Sequence, residues 1–324
     1  MAGKRKSVMQ PLLFYICMFF FNFMRVLPLS VARKSGVALA RIAYHLVPRI
    51  KRVGMENLDV AYGDSLDREQ KESILKGSVE NLGLVAVEFY YVPLLPRKLP
   101  EMNIPVKGFD NIDRSQGGIL ISAHMGNWEW LLPVGAHLGL DAIVIVREFD
   151  DPRMNAFVDG MRRASGIKTI PKDAAMGPLL RRLKGGAYAG LLADQNPRED
   201  AVPVRFFGAP TWATIGPAIM AMRANVPVYP VSIVREPNGN YSVEFFQALE
   251  LAYSGDTLTD LQTNTQRCQD ALEAIIRNHP EQWLWFHRRW KKRERLEREW
   301  AERLANRKRK NDTQPECSAS KEIQ

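Results

Sequence analysis

The sequence predicts an α/β protein in which a mixed, partly parallel sheet is flanked by helices, preceded by an N-terminal helical lobe and a membrane anchor. Three observations carry that expectation. From Gly117 onward, short β-rich runs alternate with helical segments, as a partly parallel sheet covered by helices requires. Before that point, residues 31–46 and 66–91 repeat their apolar side chains at intervals of three and four, the period of an amphipathic helix. The first residues join cations to an aromatic-rich apolar run. With 324 residues and 46% apolar content, the chain can bury one large core or two small ones, so disorder is not the expectation.

The anchor is read from Lys4, Arg5 and Lys6, which precede an apolar stretch over 12–24 that holds Phe14, Phe19, Phe20, Phe21 and Phe23, is interrupted by Asn22 and is closed by Arg25. The cations favour the cytoplasmic side. A spanning helix needs about 20 apolar residues, so residues 1–29 read either as a short transmembrane helix, extended past Arg25 by Val26, Leu27 and Leu29, or as an interfacial segment. A cleaved signal peptide is the competing reading, but no Ala-x-Ala site follows.

Strands are expected over 119–121, 142–146, 189–192 and 228–234, with a hairpin turn at Pro237-Asn238-Gly239-Asn240, where Asn-Gly is a strong turn signal. A helix is expected over 259–277, ending before Pro280, and a basic C-terminal helix follows. After Lys310 the polar sequence reads as a disordered tail. Cys17, Cys268 and Cys317 are scattered, with no CxxC pair, so neither a disulfide framework nor a thiolate zinc site is expected.

The net charge of +9 is unevenly spread: residues 288–310 hold twelve Lys or Arg against four Glu. Such a run fits a solvated helix face, an anionic membrane, an acidic protein or nucleic acid. Trp283, Trp285 and Trp290 at its start favour the membrane surface.

The chemistry-bearing segment is 118–129, an apolar strand running into Ser122-Ala123-His124-Met125-Gly126-Asn127-Trp128-Glu129 and then a helix. It sets His124 at the carboxyl end of a strand, where open α/β sheets bind ligands. Glu129 falls in the first helical turn, and Gly126 permits a loop tight enough for its carboxylate to reach the imidazole. A carboxylate on one ring nitrogen fixes the tautomer and leaves the other nitrogen to accept a proton. The His-x4-Glu spacing alone also fits a structural histidine beside a helix-dipole carboxylate. Arg147 at the end of the next strand, Arg162 and Arg163 on the following helix, and Asp194 and Gln195 past the strand ending at Leu192 are candidate substrate-binding residues. Surface charge and a turn-forming Asp are the structural alternatives. Phe206-Phe207-Gly208 fits either an acyl tunnel or core packing.

From the anchor to about Arg293 the sequence resembles the lipid A biosynthesis lauroyl/myristoyl acyltransferases, which add secondary acyl chains to a lipid A precursor. The marks are Asn57-Leu58 with Ala61-Tyr62, His124 to Glu129, Val146-Arg147, Asp194-Gln195, Phe206-Phe207-Gly208 with Ala213-Thr214-Ile215-Gly216, and the run from Pro280 through Trp285 to His287-Arg288-Arg289-Trp290-Lys291. The resemblance implies a glycerolipid-acyltransferase-like fold, an acyl carrier protein thioester as donor, and direct transfer to a hydroxyl of a lipid A precursor. It makes His124 the base and Glu129 its partner, and it places Asp194 and Gln195 at the site. It implies an acyltransferase domain over 30–310, divided into a helical lobe (30–100), an α/β core (101–286) and a basic helix (287–310), at the cytoplasmic face of a bacterial inner membrane. No metal, cofactor or nucleic acid is called for. The rivals are an acyltransferase of lysophospholipids, mannosylated phosphatidylinositol or an aminolipid, and a membrane-tethered binding protein.

Overall fold

The computed structural model describes residues 9–146, 149, 151–171 and 176–312. Helices α1 (Met9–Arg25), α2 (Leu29–Leu46), α3 (Pro48–Tyr62), α4 (Arg68–Glu88) and α5 (Leu95–Met102) come first. Strands and helices then alternate: β1 (Val106–Lys107), β2 (Gly118–Ser122), α6 (Trp128–His137), β3 (Ala142–Val146), α7 (Pro152–Ala164), β4 (Lys168–Pro171), α8 (Met176–Lys184) and β5 (Tyr188–Leu192). A hairpin of β6 (Ala201–Phe206) and β7 (Ala209–Thr214) leads to α9 (Gly216–Ala224), β8 (Val228–Arg235), β9 (Tyr241–Phe245), α10 (Thr257–Asn278) and α11 (Glu294–Asp312).

The main sheet has seven strands in the order β1-β9-β8-β2-β5-β3-β4. Every neighbouring pair is parallel except β8 and β9, the hairpin anticipated at Asn238-Gly239. Gly239 takes φ +80° in that turn. Central strand β2 is buried on both faces, which explains its uninterrupted apolar run. Ile119 and Ile121 pack with Leu75 of α4, Leu179 of α8, Met220 of α9 and Leu272 of α10. Leu120, with Tyr229 and Val231 of β8, shares the opposite layer with Leu95 of α5 and Trp130 of α6.

The N-terminal lobe differs from the expected pair of helices in containing α3 between them. Pro48 opens this extra helix at its first position, and its buried Val53, Gly54, Asn57, Leu58 and Ala61 recur at helical spacing within a polar sequence. Asp67 starts α4 with a capping box, its carboxylate accepting from the Gln70 N–H while the Gln70 side chain accepts from the Asp67 N–H. Helices α2 and α4 meet at glycines: a Cβ at Gly83 would lie 2.4 Å from the Gly36 carbonyl oxygen, and one at Gly36 would lie 2.6 Å from that of Gly83.

Three other expectations change. The C-terminal helix begins at Glu294, seven residues after the expected 287, the segment between being held in place by the buried Arg289. Trp283 and Trp285 just before it and Arg289 within it are buried, so these three side chains belong to the core, while Arg288, Lys291 and Lys292 are exposed. Phe206-Phe207-Gly208 is a hairpin turn with φ of 51° at Phe207 and 71° at Gly208. Its two rings pack against Trp283, Trp285 and Trp290, and neither lines the site cavity. No described helix is long and apolar enough to cross a membrane. Of the tail expected after Lys310, Asn311 and Asp312 belong to the last helix, and the rest, like Lys4 to Lys6, lies outside the described residues.

The glycine contact supplies a test of the lobe. Gly83→Val is expected to force α2 off α4 and to destabilise the protein by about 1–3 kcal/mol, the usual cost of overpacking, read as a lowered midpoint in urea unfolding.

Candidate active site

Register brings the central pair of residues together. Strands β2 and β5 run parallel with Ser122 opposite Leu192, so His124 and Asp194, each two residues beyond that pair, leave the sheet side by side. Asp194 Oδ1 lies 2.8 Å from His124 Nδ1, while its Oδ2 accepts from the His124 backbone N–H at 2.9 Å. The indole N–H of Trp283 donates to the same Oδ2 at 2.7 Å. Burial alone would push this carboxyl up, but attraction to the His124 imidazole and the hydrogen bonds from His124 and Trp283 outweigh it and hold the carboxyl at about 2. Asp194 is therefore ionised and can only accept, which assigns a proton to His124 Nδ1 and leaves Nε2 as a base. By sign, the lowered carboxyl contributes stability above its ordinary value of 3.8 and loses that contribution as pH falls through about 2.

The loop that carries His124 is fixed on several sides. Gly126 has φ +54°, and a Cβ there would sit 1.8 Å from the Ile233 carbonyl oxygen, so only glycine fits. The Gly126 N–H donates to the Gln282 carbonyl, and the His124 carbonyl accepts from the Leu284 N–H. Asn81 donates to the carbonyls of Gly126 and Gln282 at 2.9 and 3.0 Å. Asn127 donates to Glu88 at 2.7 Å, and that wholly buried carboxylate also receives Arg33 of α2, Arg235 of β8 and the Tyr241 hydroxyl. The Asp194 side is tied in the same way: Asn196 donates to the carbonyls of Arg289 and Lys291, both at 2.8 Å.

Glu129 does occupy the first turn of α6, but its carboxylate does not hold His124. Arg162 of α7 clamps it with two bonds of 3.0 and 2.7 Å, and the Trp128 indole N–H donates at 3.2 Å. The expected His124–Glu129 hydrogen bond is thus replaced by His124–Asp194, because the strand-end register presents the aspartate directly to Nδ1 while the helix aims the glutamate across the cleft at α7. Asp194, expected to bind substrate, is instead buried with both oxygens engaged by His124 and Trp283.

Beside the pair lies a cavity of about 550 Å³, within the range of small-molecule sites. His124, Trp128, Glu129, Arg162 and Gln195 line its polar part, and Leu120, Leu132, Val144, Gly190, Val231 and Phe245 belong to its apolar part beneath α6. Arg163 lies outside it, paired with Asp159 on the exposed face of α7. Arg147 falls outside the described residues. Sequence reasoning missed Trp283, Asn196 and Arg289 as supports of the site. The only signals were the tryptophan and arginine in the run over 280–291, whose charge suggested a surface.

The fold and site define an α/β protein in which a histidine paired with a buried aspartate lines a largely apolar cavity. The chain belongs to the bacterial lipid A biosynthesis acyltransferase family, whose model matches residues 1–292, and is an acyltransferase. It is 26% identical over 233 residues to a phosphatidylinositol mannoside acyltransferase of Mycobacterium tuberculosis, covering 68% of this chain and 71% of that protein. The phosphatidylinositol mannoside acyltransferase of Mycolicibacterium smegmatis is also 26% identical, over 55% of this chain and 58% of its own length. Among solved structures, the 1-acyl-sn-glycerophosphate acyltransferase PlsC of Thermotoga maritima matches 75% of this chain and 99% of its own, at 14% identity and a TM-score of 0.34, a likeness too distant to carry an argument.

The geometry separates the two carboxylates experimentally. Asp194→Ala and His124→Ala are each expected to slow acyl transfer by about 10²-fold or more, and the double variant to be little worse than either, since residues acting as one unit are not additive. Glu129→Gln is expected to add its own loss to that of Asp194→Ala, measured as kcat/KM of the single and double variants.

Proposed function

We propose that the chain transfers a fatty acyl group from an acyl carrier protein thioester to a hydroxyl of a sugar-bearing membrane lipid, at the cytoplasmic face of a bacterial inner membrane. The observation that carries this reading is His124 on the wall of the largely apolar cavity, with its Nδ1 held by the buried Asp194. His124 takes the proton of the acceptor hydroxyl as its oxygen attacks the thioester carbonyl. The C–O bond forms, the C–S bond breaks, and the imidazolium returns the proton to the leaving thiolate. Asp194 holds the ring and balances its charge during this cycle. Glu129, the second proposed catalytic group, orients Arg162, whose guanidinium retains N–H donors beyond the two spent on Glu129. Those donors face the developing oxyanion or an anionic headgroup. Gln195 binds beside them, and Arg147 serves the acceptor headgroup.

A lipid A precursor is the acceptor named by the family description. A mannosylated phosphatidylinositol is the second reading, favoured by the names of the curated relatives. Mass spectrometry of lipids from cells with and without the gene tests both: loss of one secondary acyl chain from lipid A supports the first, and loss from a mannolipid the second. If neither lipid changes and the purified chain acylates neither acceptor from acyl carrier protein, the reading is wrong.

The cavity also fixes an expected acyl preference. Gly190 sits between Leu120 and Val144 in register, and a Cβ there would reach within 3.3 Å of Leu132 Cδ2 across the apolar channel. Gly190→Val is expected to shift transfer to chains shorter by about one or two carbons, and Leu132→Ala to longer ones, because each buried methylene is worth about 0.8 kcal/mol. Competition between donors of different chain length measures both.

A further inference from the structure

Strand β5 is paired unequally along its two edges. With β2 the pairing runs as far as Ser122 and Leu192, and on the outer side β3 stays paired with β4 up to Val146 and Pro171. Between β3 and β5 it ends two residues earlier, at Val144 and Gly190. Beyond that point Ile145 and Val146 of β3 and Leu191 and Leu192 of β5 are only half-buried, and all four line the cavity. Ladder hydrogen bonds hold neighbouring strands about 4.8 Å apart. Where they cease, the sheet is split and its two faces communicate.

The split joins two apolar layers. Leu132, Val144 and Val231 line the cavity from the face covered by α6. Ile145, Leu191, Ile219 and Met220 line it too, yet they pack in the opposite layer, with Leu179 of α8. Successive side chains of a strand point to opposite faces, so Val144 and Ile145 wall different arms of one cavity. Each arm has a glycine at a close approach. Gly190 faces Leu132 in the first, and in the second Gly216 opens α9, where a Cβ would lie 3.7 Å from Leu191 Cδ2 and 4.0 Å from Met220 Cε.

Polar groups stand where the arms join. His124, Ser122 and Gln195 line the cavity at the ends of β2 and β5, and Ser122 Oγ is buried with no hydrogen-bond partner among the described residues. A buried hydroxyl left alone is costly, and a polar ligand group at the fork would satisfy it. A hydrocarbon chain with its polar end at His124 can follow one arm and not both, because the arms lie on opposite faces of the sheet. Acyl transfer brings two molecules to His124, the one with the thioester and the one with the hydroxyl. The α6 arm receives the donor chain, which leaves the α9 arm to the second molecule.

We propose that the arm between the split sheet and α9 is a second hydrocarbon subsite, which takes an alkyl chain of the acceptor lipid and so brings its hydroxyl to His124. Which arm serves which molecule rests on the acyl-transfer reading, whereas the presence of a second hydrocarbon site does not. Gly216 and Ile219 then decide the acceptor, as Gly190 and Leu132 decide the donor chain.

The test combines selectivity assays with photolabelling of the full chain. A lipid A precursor and a mannosylated phosphatidylinositol serve as acceptors, each with full-length and shortened acyl chains. Gly216→Val and Ile219→Phe are expected to lower kcat/KM for the full-length acceptor about ten-fold or more, the low end of what one methylene decides in an apolar pocket. The loss should be smaller with the shortened acceptor, and the preference among donor chain lengths should stay as it is. Ile219→Ala, which only removes atoms, is expected to favour longer acceptor chains and guards against a folding defect in the larger variants. Lysophosphatidylglycerol with a diazirine at its chain end needs no turnover. It is expected to label α9, and to lose that label in Gly216→Val and Ile219→Phe. A shift of donor preference in these variants, with acceptor selectivity unmoved, overturns the proposal by giving both arms to the donor. Label confined to the α6 face overturns it as well. Label on α9 with no transfer to either acceptor would sink the catalytic reading and uphold the second hydrocarbon site.

Discussion

The parallel pairing of β2 with β5 is the constraint on which the rest of the site depends. Two strands held in register by backbone hydrogen bonds end together, and the residues two steps beyond become neighbours without any long loop to order. His124 and Asp194 are those residues. Because Asp194 is buried and accepts from the imidazole, a backbone N–H and the Trp283 indole at once, its charge is compensated in place. Without these partners the anion would stand unpaired in the core, at a cost of several kcal/mol. The surroundings follow from that need: the segment over 280–285 closes over the His124 loop, and the following residues, with Arg289 at their centre, close over the Asp194 loop.

Much of this was legible in the sequence where one physical signal dominated. The apolar runs at β2, β3, β5 and β8 and the Asn-Gly turn between β8 and β9 identified the sheet, and the end of β2 is where His124 stands. The family resemblance agrees with the family match over residues 1–292. What failed were readings that needed long-range partners. Glu129 is five residues from His124, and local spacing favoured it. Asp194 is seventy residues away, and only the order and register of β2 and β5 select it. Arg289 read as surface charge because a sequence shows the guanidinium but not the Thr211, Trp212 and Gln269 oxygens that receive it. Helix α3 was passed over because its apolar residues are few and it follows α2 with only Val47 between them.

The two carboxylates near His124 are held differently. Asp194 is buried behind the imidazole, on the side of the core, and Glu129 lines the cavity, held by Arg162. The cavity beneath α6 adds an apolar slot lined by Gly190 and Leu132.

The central claim is that Asp194, not Glu129, fixes the proton on His124 Nδ1, and nitrogen-15 NMR of the histidine rings tests it most directly. With labelled histidine, and the His124 resonances assigned from the His124→Ala variant, the neutral ring is expected to carry its proton on Nδ1. That preference should persist in Glu129→Gln and be lost in Asp194→Ala. A neutral His124 protonated on Nε2, or a tautomer that changes with Glu129 and ignores Asp194, would contradict the account.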